Sequence, residues 1–113
     1  MTTPKINHDP MYQLLREGKI KEFNQSKQAG EPIELRGTDL RGLDLRGLDA
    51  SGIDFSDCYF RQADLRGIDF STSKLDGASI NGAKISGCYF PEKISAAELT
   101  LSLLHGTRLR LGC

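Results

Sequence analysis

Residues 38 to 47 read TDLRGLDLRG, two five-residue units laid end to end, and the same unit continues on both sides, from residue 33 to residue 92. Its central residue is apolar twelve times in succession: Leu35, Leu40, Leu45, Ala50, Phe55, Phe60, Leu65, Phe70, Leu75, Ile80, Ile85 and Phe90. The leading residue, two places earlier, is apolar at Ile33, Leu43, Leu48, Ile53, Cys58, Ala63, Ile68, Ala78, Ala83 and Cys88, with Thr38 and Ser73 as the exceptions. A period of five fits neither a straight helix, which repeats at about 3.6, nor a straight strand, which repeats at about 2. It is explained by a very short extended segment that sends Leu43 and Leu45 to one side and Asp44 to the other, followed by a turn. No such unit can bury its apolar side alone, so repetition at a short fixed period marks a solenoid whose core comes from stacking.

Glycine closes eight of the twelve units, two places after the central residue, as at Gly42 and Gly47. A corner with positive φ is reached by glycine without steric cost. Asp57, Gln62, Thr72 and Glu92 stand where the other four glycines would be, and this predicts a different turn at those corners.

The runs TDLRG (38–42), LDLRG (43–47), ADLRG (63–67) and ASING (78–82) resemble the unit of the pentapeptide-repeat family, a small residue, Asp or Asn, Leu or Phe, a polar residue and often Gly. The resemblance implies an all-β solenoid, a right-handed quadrilateral β-helix with four units per rung. It gives this chain about three rungs and sets residue n beneath residue n+20, and the flanking sequence adds short α-helical caps at both ends. Ala50 then lies beneath Phe70 and Phe90, and Leu48 beneath Ile68 and Cys88, so the unit 48–52 exchanges bulky and small places and the Phe70 ring is expected in the space Ala50 leaves. Ile33, Leu43, Leu48, Ile53 and Ile68 are larger than the alanine this family prefers at the leading place, which predicts local widening of the early rungs.

At 113 residues the chain makes one folding domain. The segments expected are a flexible tail (1–8), an N-terminal helical cap (9–30), the β-helix (31–92) and a C-terminal helical cap (93–113). Asp9 before Pro10 is a helix-start pair, with a helix through Met11, Leu14 and Leu15 that stops at Gly18, and a second from Lys19 to about Gln28. Ser95 with Glu98 has the spacing of a capping box for a helix over 96–105 ending at Gly106. Leu99, Leu101 and Leu103 also alternate as a strand would, and the two end signals favour helix. Thr107 to Leu111 reads as a short edge strand. Lids are physically required, because a bare solenoid end exposes unpaired backbone groups and core side chains.

Fifteen basic residues balance fifteen acidic ones, which argues against nucleic acid or an acidic membrane as partner. No apolar run has the length of a membrane span and the start is not a signal peptide, so a cytoplasmic location is expected. Candidate interaction residues are the outward Arg36, Arg41, Arg46, Arg61 and Arg66, read either as a ladder neutralised by the interleaved aspartates or as a stripe for a partner's carboxylates or phosphates. The outward aromatics Tyr59 and Tyr89 lie thirty residues apart and are expected on opposite faces. Cys58 and Cys88 read as small apolar residues, Cys113 as a free terminal thiol, and His105 as a residue at a helix C-terminus. No metal-ligand spacing, phosphate loop or nucleophile motif is present, so no enzyme, cofactor or small-molecule substrate is expected.

The function expected is a protein–protein interaction module. The alternative is a structural, self-assembling protein that forms a homodimer through an end or face. Some members of the resembled family are DNA-shaped modulators of DNA gyrase, but three rungs and an arginine-interleaved surface speak against that role here.

Overall fold

The computed structural model describes residues 9–111. The expected tail at residues 1–8, including His8, and the thiol of Cys113 lie outside the described residues.

Parallel bridges join residues twenty apart, in the columns Asp39–Tyr59–Ser79, Asp44–Asp64–Lys84, Asp54–Lys74 and Asp69–Tyr89. One coil therefore takes four five-residue units, and the chain is a β-helix solenoid. Each bridge is a single residue long, because the turn begins immediately after the central residue. Among the described residues no longer strand forms. The outward residue of an upper coil uses both its backbone groups downward. Asp64 N donates to Leu43 O at 2.9 Å, and Asp64 O accepts from Leu45 N at 3.0 Å.

The corners follow from this ladder. Corner amides donate to the next coil, as Gly42 N does to Arg61 O and Gly67 N to Ser86 O, both at 2.9 Å. Asp57 and Gln62, expected to turn differently, make the same bonds, to Asp76 O at 2.9 Å and Asn81 O at 2.8 Å. They do so with φ of 61° and 60°, the left-handed conformation glycine adopts elsewhere. The ladder thus imposes the conformation on residues for which it costs roughly 1–2 kcal/mol. Each sits beneath a glycine corner, Gly77 or Gly82, and a Cβ at Gly77 would collide with the Asp57 carboxylate.

Thr72 does depart from the common corner. It has no positive φ, as expected of a β-branched residue, and Gly52 N is caught by its side-chain Oγ1 at 3.2 Å instead of by a backbone carbonyl. At this place the ladder is interrupted, with no bridge between Asp49 and Asp69. The interruption adjoins the unit with exchanged sizes, Leu48 leading and Ala50 central. Bulk at the leading place does not widen the coils by itself, since Leu43, Ile53 and Ile68 flank intact bridges.

The interior is filled. Phe55, Phe60 and Phe70 meet edge to face with ring centroids 5.4 to 6.0 Å apart, and Phe90 stacks on Phe70 at 5.9 Å. Buried hydroxyls at the leading place are satisfied by carbonyls, Thr38 Oγ1 by Leu35 O at 2.7 Å and Ser73 Oγ by Ala50 O at 2.6 Å. Cys58 and Cys88 play the same part, donating to Leu35 O and Leu65 O. They are therefore donors as well as the apolar fillers their position implies.

The lower end is closed by α1 (Pro10–Arg16) and α2 (Ile20–Gln28). Asp9 caps α1 by accepting from Met11 N at 2.8 Å, and Lys19 is the N-cap residue of α2. Leu15 and Phe23 are fully buried against the core. Tyr12 OH donates to Asp39 O at 2.7 Å. The Asn24 amide donates to Gly47 O and accepts from Asp49 N, both at 2.9 Å, and so replaces a peptide group of the missing coil.

One half of the upper end is covered by α3 (Ala96–His105), which resolves the helix-or-strand alternative in favour of helix. Leu99 and Leu103, four apart, face the core, whereas Leu101 and Leu104 face solvent. The fully buried Ser102 accepts from Ile80 N at 3.0 Å through its Oγ, and Leu103 O accepts from Gly82 N. Ser95 Oγ caps Glu98 N, but the expected capping box is not closed by Glu98. Its carboxylate instead holds Arg110, at 3.0 Å from the backbone N and 2.7 Å from Nη2. The expected edge strand at 107–111 is reduced to Leu109, which exchanges backbone bonds with Gly77 and Ala78.

Substituting Ser102→Ala strands the buried Ile80 amide and is expected to lower stability by roughly 1–3 kcal/mol in urea unfolding. Gln62→Gly relieves the left-handed corner and is expected to raise stability by about 1 kcal/mol in the same measurement, after allowing for the greater flexibility of unfolded glycine.

Candidate interaction surface

The outward aspartates have a local task. Their Oδ1 atoms accept the backbone N–H two residues on, from Arg41 (3.1 Å), Arg46 (3.2 Å), Ser51 (3.2 Å), Ser56 (2.9 Å), Arg66 (3.3 Å) and Ser71 (2.8 Å). This is the Asx-turn, in which a short carboxylate mimics a backbone acceptor and steadies the corner.

Where the residue two places on is arginine, its side chain folds back onto the same carboxylate in a bidentate pair. The Nε and Nη2 distances are 2.9 and 2.7 Å for Arg41 on Asp39, 2.9 and 2.8 Å for Arg46 on Asp44, and 2.9 and 2.7 Å for Arg66 on Asp64. Arg46 Nε also lies 3.5 Å from Asp64 Oδ2 in the next coil, which links Asp44, Arg46, Asp64 and Arg66 in one chain of alternating charge. Arg36 leans on Glu34 at 3.4 Å and lies 4.0 Å from Asp54.

Arg61 differs because the residue two places before it is Tyr59, not aspartate. Among the described residues it makes no ion pair. It stacks above the already paired Arg41, and Arg41, Gly42, Arg61 and Gln62 line a shallow groove. Tyr59 belongs to the column 39–59–79 and Tyr89 to the column 69–89, half a coil away, so the two are not brought together. Tyr89 is 68% exposed.

Two groups of residues were not assigned these roles from sequence. Asn24, Tyr12 and Ser102 close the ends, and nothing in their local sequence distinguishes them. Leu101, Leu104 and Leu111 are exposed apolar residues at the upper end. The spacing of Leu101 and Leu104 on a helix whose inner face is Leu99 and Leu103 was the available signal.

The charge pairs depress the carboxyl pKa values. The Arg66 guanidinium lowers Asp64 to about 2, Arg41 lowers Asp39 and Arg46 lowers Asp44, while hydrogen bonds from Ser51 and Ser71 lower Asp49 and Asp69. Burial pushes the Cys58 thiol up to about 11 and raises Cys88, so both are protonated at neutral pH and poor nucleophiles. His105 is exposed in the last turn of α3. Among the described residues no three His, Cys, Asp or Glu side chains converge to hold a metal ion, and no helix is long and apolar enough to cross a membrane.

A family model for pentapeptide repeats matches residues 33–57 and 53–90, in eight copies. No curated protein and no solved structure matches the chain.

A carboxyl whose pKa is lower in the folded chain than its unfolded value of about 3.9 stabilises fully above that value and ceases to do so as pH falls through the folded one. Urea stability is therefore expected to be nearly flat from about pH 7 to 5 and to fall between about pH 4 and 2, where Asp64 titrates near 2. Asp64→Asn is expected to make the fall shallower. An unchanged acid limb in that variant would show that the Asp64 pairs do not contribute.

Proposed function

The chain belongs to the pentapeptide-repeat family, and on that premise we propose that it is a non-catalytic protein–protein interaction module. The finer form of the fold, a right-handed quadrilateral β-helix, is part of this proposal, and the twenty-residue register supports its four sides. A cytoplasmic setting is also part of it.

The observation that carries the reading is the difference among the arginines. Arg41, Arg46 and Arg66 are each committed to a carboxylate of their own unit, whereas Arg61, two residues after Tyr59, makes no ion pair among the described residues. A guanidinium with free donors suits a partner's carboxylate, and arginine and tyrosine are the residue types that most often anchor interfaces. The candidate surface comprises Arg36, Arg41, Arg46, Arg61, Arg66 and Tyr59, with Arg61 as its anchor. Tyr89 forms a separate candidate contact. Self-association through the upper end is the second reading, favoured by the exposed Leu104 and Leu101 of α3. A gyrase-directed DNA-like role is the least supported, because arginines neutralise the aspartates that would imitate phosphates.

The test is an affinity pull-down from a bacterial lysate with wild type, Arg61→Glu, and a variant carrying Glu at Arg41, Arg46, Arg61 and Arg66, folding being checked by circular dichroism. One protein retained by wild type and lost by both variants is the expected outcome. Identical retention by all three folded baits would refute the arginine surface.

A further inference from the structure

The hydrogen-bond ladder is closed over only half of the upper end. In the second coil five backbone groups between residues 63 and 70 bond the coil above. Ala63 O accepts from Lys84 N and Ile68 O from Tyr89 N, while Leu65 N, Gly67 N and Phe70 N donate to Lys84 O, Ser86 O and Tyr89 O. The groups twenty residues on are Ala83 O, Ile85 N, Gly87 N, Cys88 O and Phe90 N. Among the described residues none of these has a hydrogen-bond partner. The other half of the same edge is capped through Ser102, Leu103 and Leu109.

The side chains tell the same story. Leu65, Ile68 and Phe70 are buried, but Ile85, Cys88 and Phe90, which occupy the same places one coil higher, are only partly covered. Unpaired strand edges with apolar side chains are templates for an extended chain.

We infer that the edge from Ala83 to Phe90 is a docking site for an extended peptide segment of a partner protein, added parallel to the edge as one further side of a fourth coil. The register defines what such a segment carries. Apolar residues lie above Ile85, Cys88 and Phe90, and a carboxylate lies above Lys84. Lys84 makes no ion pair among the described residues and sits in the column Asp44–Asp64–Lys84, where the next outward residue rests directly upon it. Backbone acceptors face the amides of Ile85, Gly87 and Phe90, and backbone donors face the carbonyls of Ala83 and Cys88.

A second copy stacked head to tail does not fit as the occupant. It would have to present the lower edge of its first coil, and that edge is closed at Asp49 by Asn24 and at Asp39 by Tyr12. A second copy meeting the same edge about a two-fold axis is the outcome that the test below separates from a peptide. The site takes the interaction-module reading further and rests on it. It uses none of the arginines, so the two surfaces fail or succeed separately.

The probe is an amidated octapeptide carrying an N-terminal fluorescein, with the sequence of residues 63–70, ADLRGIDF, which offers Asp, Leu, Ile and Phe at the required places. Fluorescence anisotropy with the full chain is expected to show saturable binding, and hydrogen exchange is expected to slow at Ile85, Gly87 and Phe90. Lys84→Glu weakens binding by about threefold, the scale of a cross-strand charge pair, and a probe with Lys in place of its first Asp restores it. N-methylation of the two Asp amides, which face Ala83 O and Cys88 O, weakens binding tenfold or more, about the scale of two lost hydrogen bonds. Arg61→Glu leaves it unchanged. The inference is overturned by an absence of saturation, by equal binding of the N-methylated probe, or by a concentration-dependent dimer that protects these three amides without peptide.

Discussion

The backbone hydrogen bond between residues twenty apart is the constraint on which the structure depends. Each bridge is a single residue long, so no side of the coil is a self-sufficient strand and every unit is held by the units above and below it. The corner is where this constraint acts most visibly. An amide that must reach the next coil fixes the backbone of the corner residue, and Asp57 and Gln62 accept a left-handed conformation to make that bond. Where Thr72 does not accept it, a hydroxyl replaces a carbonyl and the adjacent bridge is lost. The strength of the ladder is measured by what it overrides.

The same constraint explains why so many polar side chains are structural. Aspartates that look like surface decoration cap the corners, and the arginines two places on are drawn in to neutralise them. Thr38, Ser73, Cys58 and Cys88 supply donors to corner carbonyls inside the tube. Tyr12, Asn24 and Ser102 answer backbone groups that the ladder leaves unpaired at its ends. Buried polar groups without partners are costly, so a fold with many regular edges needs such substitutes at every interruption.

Function is then sought in what the scaffold leaves uncommitted. Among the described residues Arg61 meets no carboxylate, because Tyr59 stands where Arg41, Arg46 and Arg66 have aspartate and Arg36 has glutamate, and the edge from Ala83 to Phe90 is covered by none of them, because α3 and Leu109 reach only the opposite half of the end. These two features differ in chemistry, one a guanidinium and the other an apolar backbone edge. Both arise as local failures of an otherwise self-satisfying pattern.

The sequence by itself determined the solenoid, its twelve units, the inward and outward places and the helices at the ends, because a five-residue period and the cap residues Asp9, Ser95 and Gly106 are local signals. It also set the arginines of the repeats, Tyr59 and Tyr89 at outward places, since leading and central places point inward. Only the tertiary structure decided which arginines are occupied, because the Asx corner and the folded-back guanidinium depend on what lies two residues away and one coil above. It alone decided that Asp57 and Gln62 turn like glycine, that Glu98 serves Arg110 instead of closing a capping box, and that the described residues leave half of the upper edge unpaired. Those outcomes are set by pairings across twenty or more residues, or between a helix and an edge, and no local pattern encodes where a lid stops covering the core.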